Sequence, residues 1–237
     1  MCIRDRFRVV PEWKAFFDVQ EEDADGNVIT GDERRDVMIC DYKYNWDKEI
    51  YNHVKVVNKN GKDWYPGKWR REWMPIGYKN PNVTDVNFCY LRYADVVLMA
   101  AEAYNETGDT SEAWKLLNSV RKRAGAREIT TENYTELMKE KVYKLNFISD
   151  ADDAGKFRTA LYWERGFELA FEGQRKYDLI RWGVIKEALT LFSSRSSVKS
   201  SYPAGDNFQK GKHELFPIPL DELQLNPMFE SKNNPNY

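Results

Sequence analysis

The chain has 237 residues and little of what metal and catalytic sites are commonly built from. It has two histidines, His53 and His213, far apart in sequence. A histidine-based metal site or a Ser-His-Asp triad therefore has little material to work with. The three cysteines, Cys2, Cys40 and Cys89, are odd in number and form no CxxC. That pattern indicates neither a disulfide framework nor a zinc knuckle. An excess of one charge is lacking too. The net charge is -2, which argues against a broad nucleic-acid surface, since that needs clustered Lys and Arg. The run "KWRREW" is locally basic, but acidic segments offset it. No apolar run approaches the ~18 residues of a membrane helix; the longest is "VVLMAA". The opening "MCIRDR" is polar and lacks the apolar core of a secretory signal. It reads as translated library-adapter sequence, so residues 1–6 are expected to be non-native. The natural chain is then expected to begin upstream of Phe7, and Cys2 is not read as a lipoprotein cysteine.

What is present is a globular composition: 31% charged, 42% hydrophobic and 14% aromatic, with eight Trp. Residues 7–88 show no sustained helical period and read as short strands and loops. "DADGNVI" and "NKNGKDW" are hairpin turn signals, with Gly26 and Gly61 supplying positive φ. Glu21, Asp23, Asp25, Gly26 and Asp32 also fall at the offsets of a calcium loop. The first and last ligand types are exchanged, however, and no clear helices flank the loop, so a hairpin is the preferred reading.

Residues 89–237 turn helical. Leu91, Ala94, Leu98 and Ala101 form one apolar stripe, and Gly108 is a natural stop. Asp109 is placed to cap the next helix, with Glu112 as its capping-box partner. That helix carries Ala113, Leu116, Leu117, Val120 and Ala124 on one face and ends at Gly125. The pair predicts an antiparallel helix hairpin of tetratricopeptide-like texture. A second hairpin is expected from helices over 131–145 and 157–172, the latter broken at Gly173. One more helix carries Tyr177, Ile180, Val184 and Ala188. A Ser-rich stretch follows, and then a proline-punctuated C-terminus.

On the 157–172 helix, Glu164, Glu168 and Glu172 fall within the same stripe as Phe157, Ala160, Leu161 and Phe171. A carboxylate on a core-facing stripe needs cations or several donors. Arg175 and Arg181 are the near candidates and Arg92 the distant one. With Asp178 these residues predict a structural charge network. The alternative is a carboxylate pair for glycoside hydrolysis. Arginines beside such a pair would hold both groups ionised, whereas a general acid needs a raised pKa.

Three motifs, in order, resemble the SusD/RagB family of outer-membrane nutrient-binding lipoproteins. They are "NFCYLRYADVVLMAAEAYNETGD" with "LLNSVRKRAG", then "ERGFELAFEGQRKYDLIRWG", then "LFPIPLDELQLNP" with "NNPNY". They span residues 87–237. Gly166, Gln174, Lys176 and Asn236 depart from the family pattern, and Tyr237 is expected to be the natural C-terminus. The resemblance implies a mainly α fold, a tetratricopeptide-like superhelix of helix hairpins with an irregular, β-hairpin N-terminal part. It implies a non-catalytic glycan-binding component that hands oligosaccharide to a SusC-like TonB-dependent transporter at the cell surface. No cofactor and no metal are expected. The matched motifs are scaffold motifs and carry over no binding residues.

Sugar binding by stacking needs exposed aromatic rings with polar neighbours. The densest cluster is Trp64, Tyr65, Trp69 and Trp73, with Lys68 and Arg70 as candidate hydroxyl donors. Trp64 and Tyr65 are expected to be the best exposed of these rings, because Pro66 and Gly67 set them at a turn. The competing reading is that these rings pack the irregular region onto the helices. Trp163 and Trp182 read as core. A helical-repeat scaffold that binds peptides is the remaining alternative.

Overall fold

The computed structural model describes residues 9–17, 20–22, 28–30, 32–47, 49, 52–57, 64–70, 73, 86–138, 143–195, 203–230 and 232–237. Residues 1–8, the turn residues around Gly26 and Gly61, and the Ser-rich 196–202 with Tyr202 lie outside them. The chain divides into two compact units, Met1–Arg175 and Lys176–Tyr237.

The first unit is built on helices α3 (Tyr93–Glu106), α4 (Thr110–Arg123) and α5 (Asp153–Glu168). The α3–α4 connection shows why the local signals were readable. Gly108 takes φ 96°, which a side chain would disfavour. Its N–H donates to the Asn105 carbonyl and that of Asp109 to the Tyr104 carbonyl, which closes the last turn of α3. Asp109 then accepts from the Glu112 N–H at 3.0 Å and opens α4. The reciprocal half of the predicted capping box is absent. The Asp109 N–H is already used by α3, and Glu112 pairs with Lys115 at 2.9 Å. Leu98, Ala101, Ala113, Leu117 and Val120 are buried between the helices. α5 packs on both, placing Phe157, Ala160 and Leu161 in the core and the Phe157 ring edge-on to Trp114 at 5.1 Å. Leu91 departs from the predicted stripe. It precedes the helix and is 62% exposed, because Arg92 is extended (φ -140°) and α3 begins only at Tyr93.

Among the described residues, the N-terminal part holds three two-stranded antiparallel sheets. β1 (Gln20–Glu22) pairs with β2 (Val28–Thr30) on either side of the predicted Gly26 turn, with Glu22 opposite Val28. Glu21 thus lies in a strand opposite Ile29, and the Asp32 carboxylate is held by Arg34 at 2.7 Å. Asp32 is thereby placed in another role, and Asp23, Asp25 and Gly26 lie outside the described residues. β3 (Ile39–Cys40) pairs with β6 (Tyr65–Pro66), and β4 (Tyr42–Asp47) with β5 (Asn52–Val57). Two short helices also occur here, α1 (Pro11–Phe17) and α2 (Arg34–Met38). Neither has a readable period, because helices this short are held by tertiary contacts rather than by propensity. For α1 the contacts are rings: Trp13 lies 5.2 Å from Phe167, and Phe16 stacks on Trp163 at 4.9 Å.

The helix predicted over 131–145 is, among the described residues, a single 3-10 turn, Tyr134–Met138. The next predicted helix ends at Glu168, four residues early. A turn follows in which Phe171 takes φ 65°. In the second unit, the predicted helix through Val184 is two helices, α6 (Arg175–Arg181, starting from the last residue of the first unit) and α7 (Ile185–Arg195). Gly183 at φ 69° separates them, and the Val184 N–H closes back on the Leu179 carbonyl. α8 (Pro203–Asn207) and α9 (Leu220–Leu225) follow, and a 3-10 turn, Pro227–Phe229, opens the tail.

Candidate functional site

The charge network gathers around the C-terminal end of α5. Glu164 and Glu168 stand one turn apart on the helix, and Glu172 lies in the turn beyond it. All three are buried. Glu164 accepts from Arg34 and Arg121, each at 2.6 Å. Glu168 accepts from Arg34 at 3.0 Å, Arg92 at 2.5 Å and Arg123 at 2.6 Å. Glu172 accepts from Arg92 at 2.8 Å and from Lys68. The cations therefore come from four places: α2, the loop after β6, the start of α3 and the last turn of α4.

The same side chains end the helix. Lys68 and Arg92 both donate to the Glu168 carbonyl, at 2.7 and 2.5 Å, and the Trp69 indole donates to the Phe171 carbonyl at 3.2 Å. Carbonyls at a helix C-terminus need partners. Here charged side chains from distant segments supply them, so α5 stops at Glu168 although the sequence pattern continues.

Arg92 and the three glutamates are brought together, whereas Arg175 is held at Tyr162. Arg175 donates to the Tyr162 carbonyl at 2.7 Å and its guanidinium lies over the Tyr162 ring at 3.9 Å. Asp178 accepts from Arg181 at 3.0 Å within the second unit. The cations not assigned to the glutamates from the sequence are Arg34, Lys68, Arg121 and Arg123. The two α4 arginines carried a faint signal, as alternate residues closing an amphipathic helix. Arg34 and Lys68 carried none, being 130 and 104 positions from the carboxylates they meet.

Burial alone would push the Glu164 carboxyl up. The charges of Arg34 and Arg121 outweigh it and hold Glu164 below the usual carboxylate range. Glu168 is likewise pushed up by burial and brought below its ordinary value by Arg34, Arg92 and Arg123. Burial would lower the Arg34 pKa, but Glu164 and Asp32 raise it well above the ordinary arginine value. Lys68 is lowered by burial despite its bond to Glu172. Both helix glutamates are thus fixed as anions, the opposite of what a general acid needs.

Above this network opens a cleft of about 480 Å³, within the size range of ligand sites. Lys68, Arg92, Arg123, Glu168 and Glu172 line it, together with Trp69 and Trp73. Trp73 is 51% exposed. Trp69 is half-buried and stacks on Phe88 at 5.1 Å. The other two candidate rings are not among the cleft's lining residues. Trp64 is half-buried, with Lys14 over its ring at 5.8 Å. Tyr65 is half-buried in β6 opposite Cys40, in a turn anchored by the Gly67 N–H on the Met38 carbonyl at 2.6 Å. Arg70 reaches the Ile39 carbonyl at 3.1 Å. Trp163 is buried and Trp182 half-buried under the Arg181 guanidinium. Among the described residues, no three His, Cys, Asp or Glu side chains are grouped as a metal site would need. No helix among them is long and apolar enough to cross a membrane.

Comparison with known proteins places these features in context. A sequence model of the SusD family matches residues 5–237. SusD-like protein P25 of Formosa agariphila is 37% identical over 142 residues, 60% of this chain and 23% of its own. SusD-like protein P2 of the same organism is 32% identical over 214 residues, 81% of this chain and 38% of its own. A crystal structure of a SusD homolog from Bacteroides thetaiotaomicron aligns with a TM-score of 0.66 at 30% identity, over 87% of this chain and 41% of that one. A SusD superfamily protein from Bacteroides vulgatus aligns at 0.56 and 21% identity, a likeness of fold alone. The chain spans less than half the length of each of these relatives.

Proposed function

Because this chain belongs to the SusD family, we propose that it is the oligosaccharide-binding, non-catalytic part of an outer-membrane nutrient uptake complex. In this reading it acts at the cell surface and passes its ligand to a SusC-like TonB-dependent transporter. The observation that carries the reading on this chain is the exposed Trp73 ring beside a cleft floored by fixed charges. An aromatic face offers stacking to the apolar C–H face of a sugar, and Lys68, Arg92 and Arg123 offer donors to its hydroxyls. The glutamates support binding rather than turnover, because each is neutralised by at least two cations.

The test is glycan affinity electrophoresis with the purified chain and a panel of soluble polysaccharides, run beside Trp73→Ala. Retention that weakens in the variant, with no sugar released into solution, is the expected result. A folded protein that retains no glycan, or one that releases reducing sugar, would overturn the reading. Co-purification of the tagged full-length protein with an outer-membrane TonB-dependent transporter tests the partner.

A further inference from the structure

The ion pairs around α5 do not balance, and the imbalance surfaces in the cleft. Among the described residues, Arg34, Lys68, Arg92, Arg121 and Arg123 meet Asp32, Glu164, Glu168 and Glu172, five cations against four carboxylates. The buried members are saturated. Glu168 already has Arg34 on one oxygen and Arg92 on the other before Arg123 is added. Arg123 is also the most exposed of the five, its side chain 58% open to solvent against 25% or less for the rest. Among the described residues it bonds Glu168 through Nη2, which leaves Nε and Nη1 without a protein acceptor. A planar guanidinium with free donors suits the paired oxygens of a carboxylate or sulfate. Among the described residues, Glu33 is the remaining carboxylate on the cleft wall, and it is exposed. The chain as a whole carries a net charge of -2, so general attraction cannot account for polyanion binding.

We propose that the cleft takes an acidic oligosaccharide, its carboxylate or sulfate seated on Arg123 and a neighbouring ring lying on Trp73. This rests on the glycan-binding reading and adds the substrate class. The charged group sets preference and on-rate, and the ring contact holds neutral and acidic glycans alike.

The experiment is titration calorimetry of the full chain with three probes of similar length: an oligogalacturonate, a carrageenan oligosaccharide (sulfate without carboxylate) and a maltooligosaccharide. One of the two acidic probes is expected to bind about tenfold more tightly than the neutral one, with the difference shrinking as salt rises from 50 to 500 mM. Which acidic probe prevails tells carboxylate from sulfate. Arg123→Gln should weaken acidic binding about tenfold more than neutral binding and so remove the preference, and Arg123→Lys should retain part of it. Glu33→Gln, outside the ion pairs, should strengthen acidic binding by a few-fold and gives a second reading should Arg123→Gln melt early. An acidic preference unchanged in Arg123→Gln and in Glu33→Gln overturns the proposal. So does equal binding of all three probes, which would leave the glycan-binding reading standing. Binding of none by the folded protein overturns both.

Discussion

Arg34 Nη1 donates to Glu164 Oε1 at 2.6 Å across 130 residues, and the glutamate side chain has no exposed surface. A short helix in the irregular N-terminal part is thereby tied to the central helix of the α core. Glu164 is shared with Arg121 of α4, so one carboxylate joins three elements.

Glu164→Gln should therefore destabilise the first unit strongly. It leaves Arg121 buried without its carboxylate and Arg34 with only Asp32 and Glu168, and breaking a buried pair in this way costs about 3–5 kcal/mol. Chemical denaturation monitored by circular dichroism measures it. A loss below about 1 kcal/mol would show that the pair is dispensable. The same variant assayed against oligosaccharides tests the hydrolase alternative, which predicts lost turnover rather than lost stability.

Acid should loosen the fold. Glu164 and Glu168 have folded-state pKa values lowered from 4.5. A carboxyl with a depressed folded pKa contributes stability that is present above its unfolded value and is lost as pH falls through the folded one. Melting temperature should thus hold near neutrality and drop below about pH 4.5, and Glu164→Gln should flatten that drop. A wild-type curve already flat between pH 5 and 3 would contradict the assignment.

Three glycine-to-alanine changes should separate backbone from packing effects. At Gly108 a Cβ would meet nothing within 4 Å, so only the positive φ opposes it and the cost is about 1 kcal/mol. At Gly155 a Cβ would sit 2.0 Å from the Ser149 carbonyl oxygen, so backbone must move and the loss should be the largest of the three. At Gly166 a Cβ would reach ordinary contact with the Arg175 guanidinium at 3.5 Å, and alanine should stabilise the helix by about 0.5–1 kcal/mol. Thermal melts of the three variants give the order directly.

Trp73→Ala should leave stability nearly unchanged, since the ring is 51% exposed, while weakening glycan retention. Trp69→Ala should lower both, because Trp69 stacks on Phe88 and bonds the Phe171 carbonyl. Paired melting and affinity-gel measurements distinguish the two. Equal loss of stability in both variants would place Trp73 in the packing instead of at the ligand.

The sequence by itself determined the α3–α4 hairpin. Its stripes, its Gly108 closure and its Asp109 cap rest on hydrogen bonds reaching at most five residues, so local residue types encode them. It also determined that the α5 glutamates need cations, because burying a bare carboxylate costs too much wherever its partners lie. Tertiary structure decided which cations. Arg175, close in the chain, turns to Tyr162, while Arg34 and Lys68 arrive from more than 100 positions away. It decided where α5 ends, because Lys68 and Arg92 satisfy the Glu168 carbonyl that another helical turn would otherwise need to satisfy. It decided, too, that Trp73 and Arg123 share one cleft. Such placements depend on where whole elements pack, and no spacing along the chain records that.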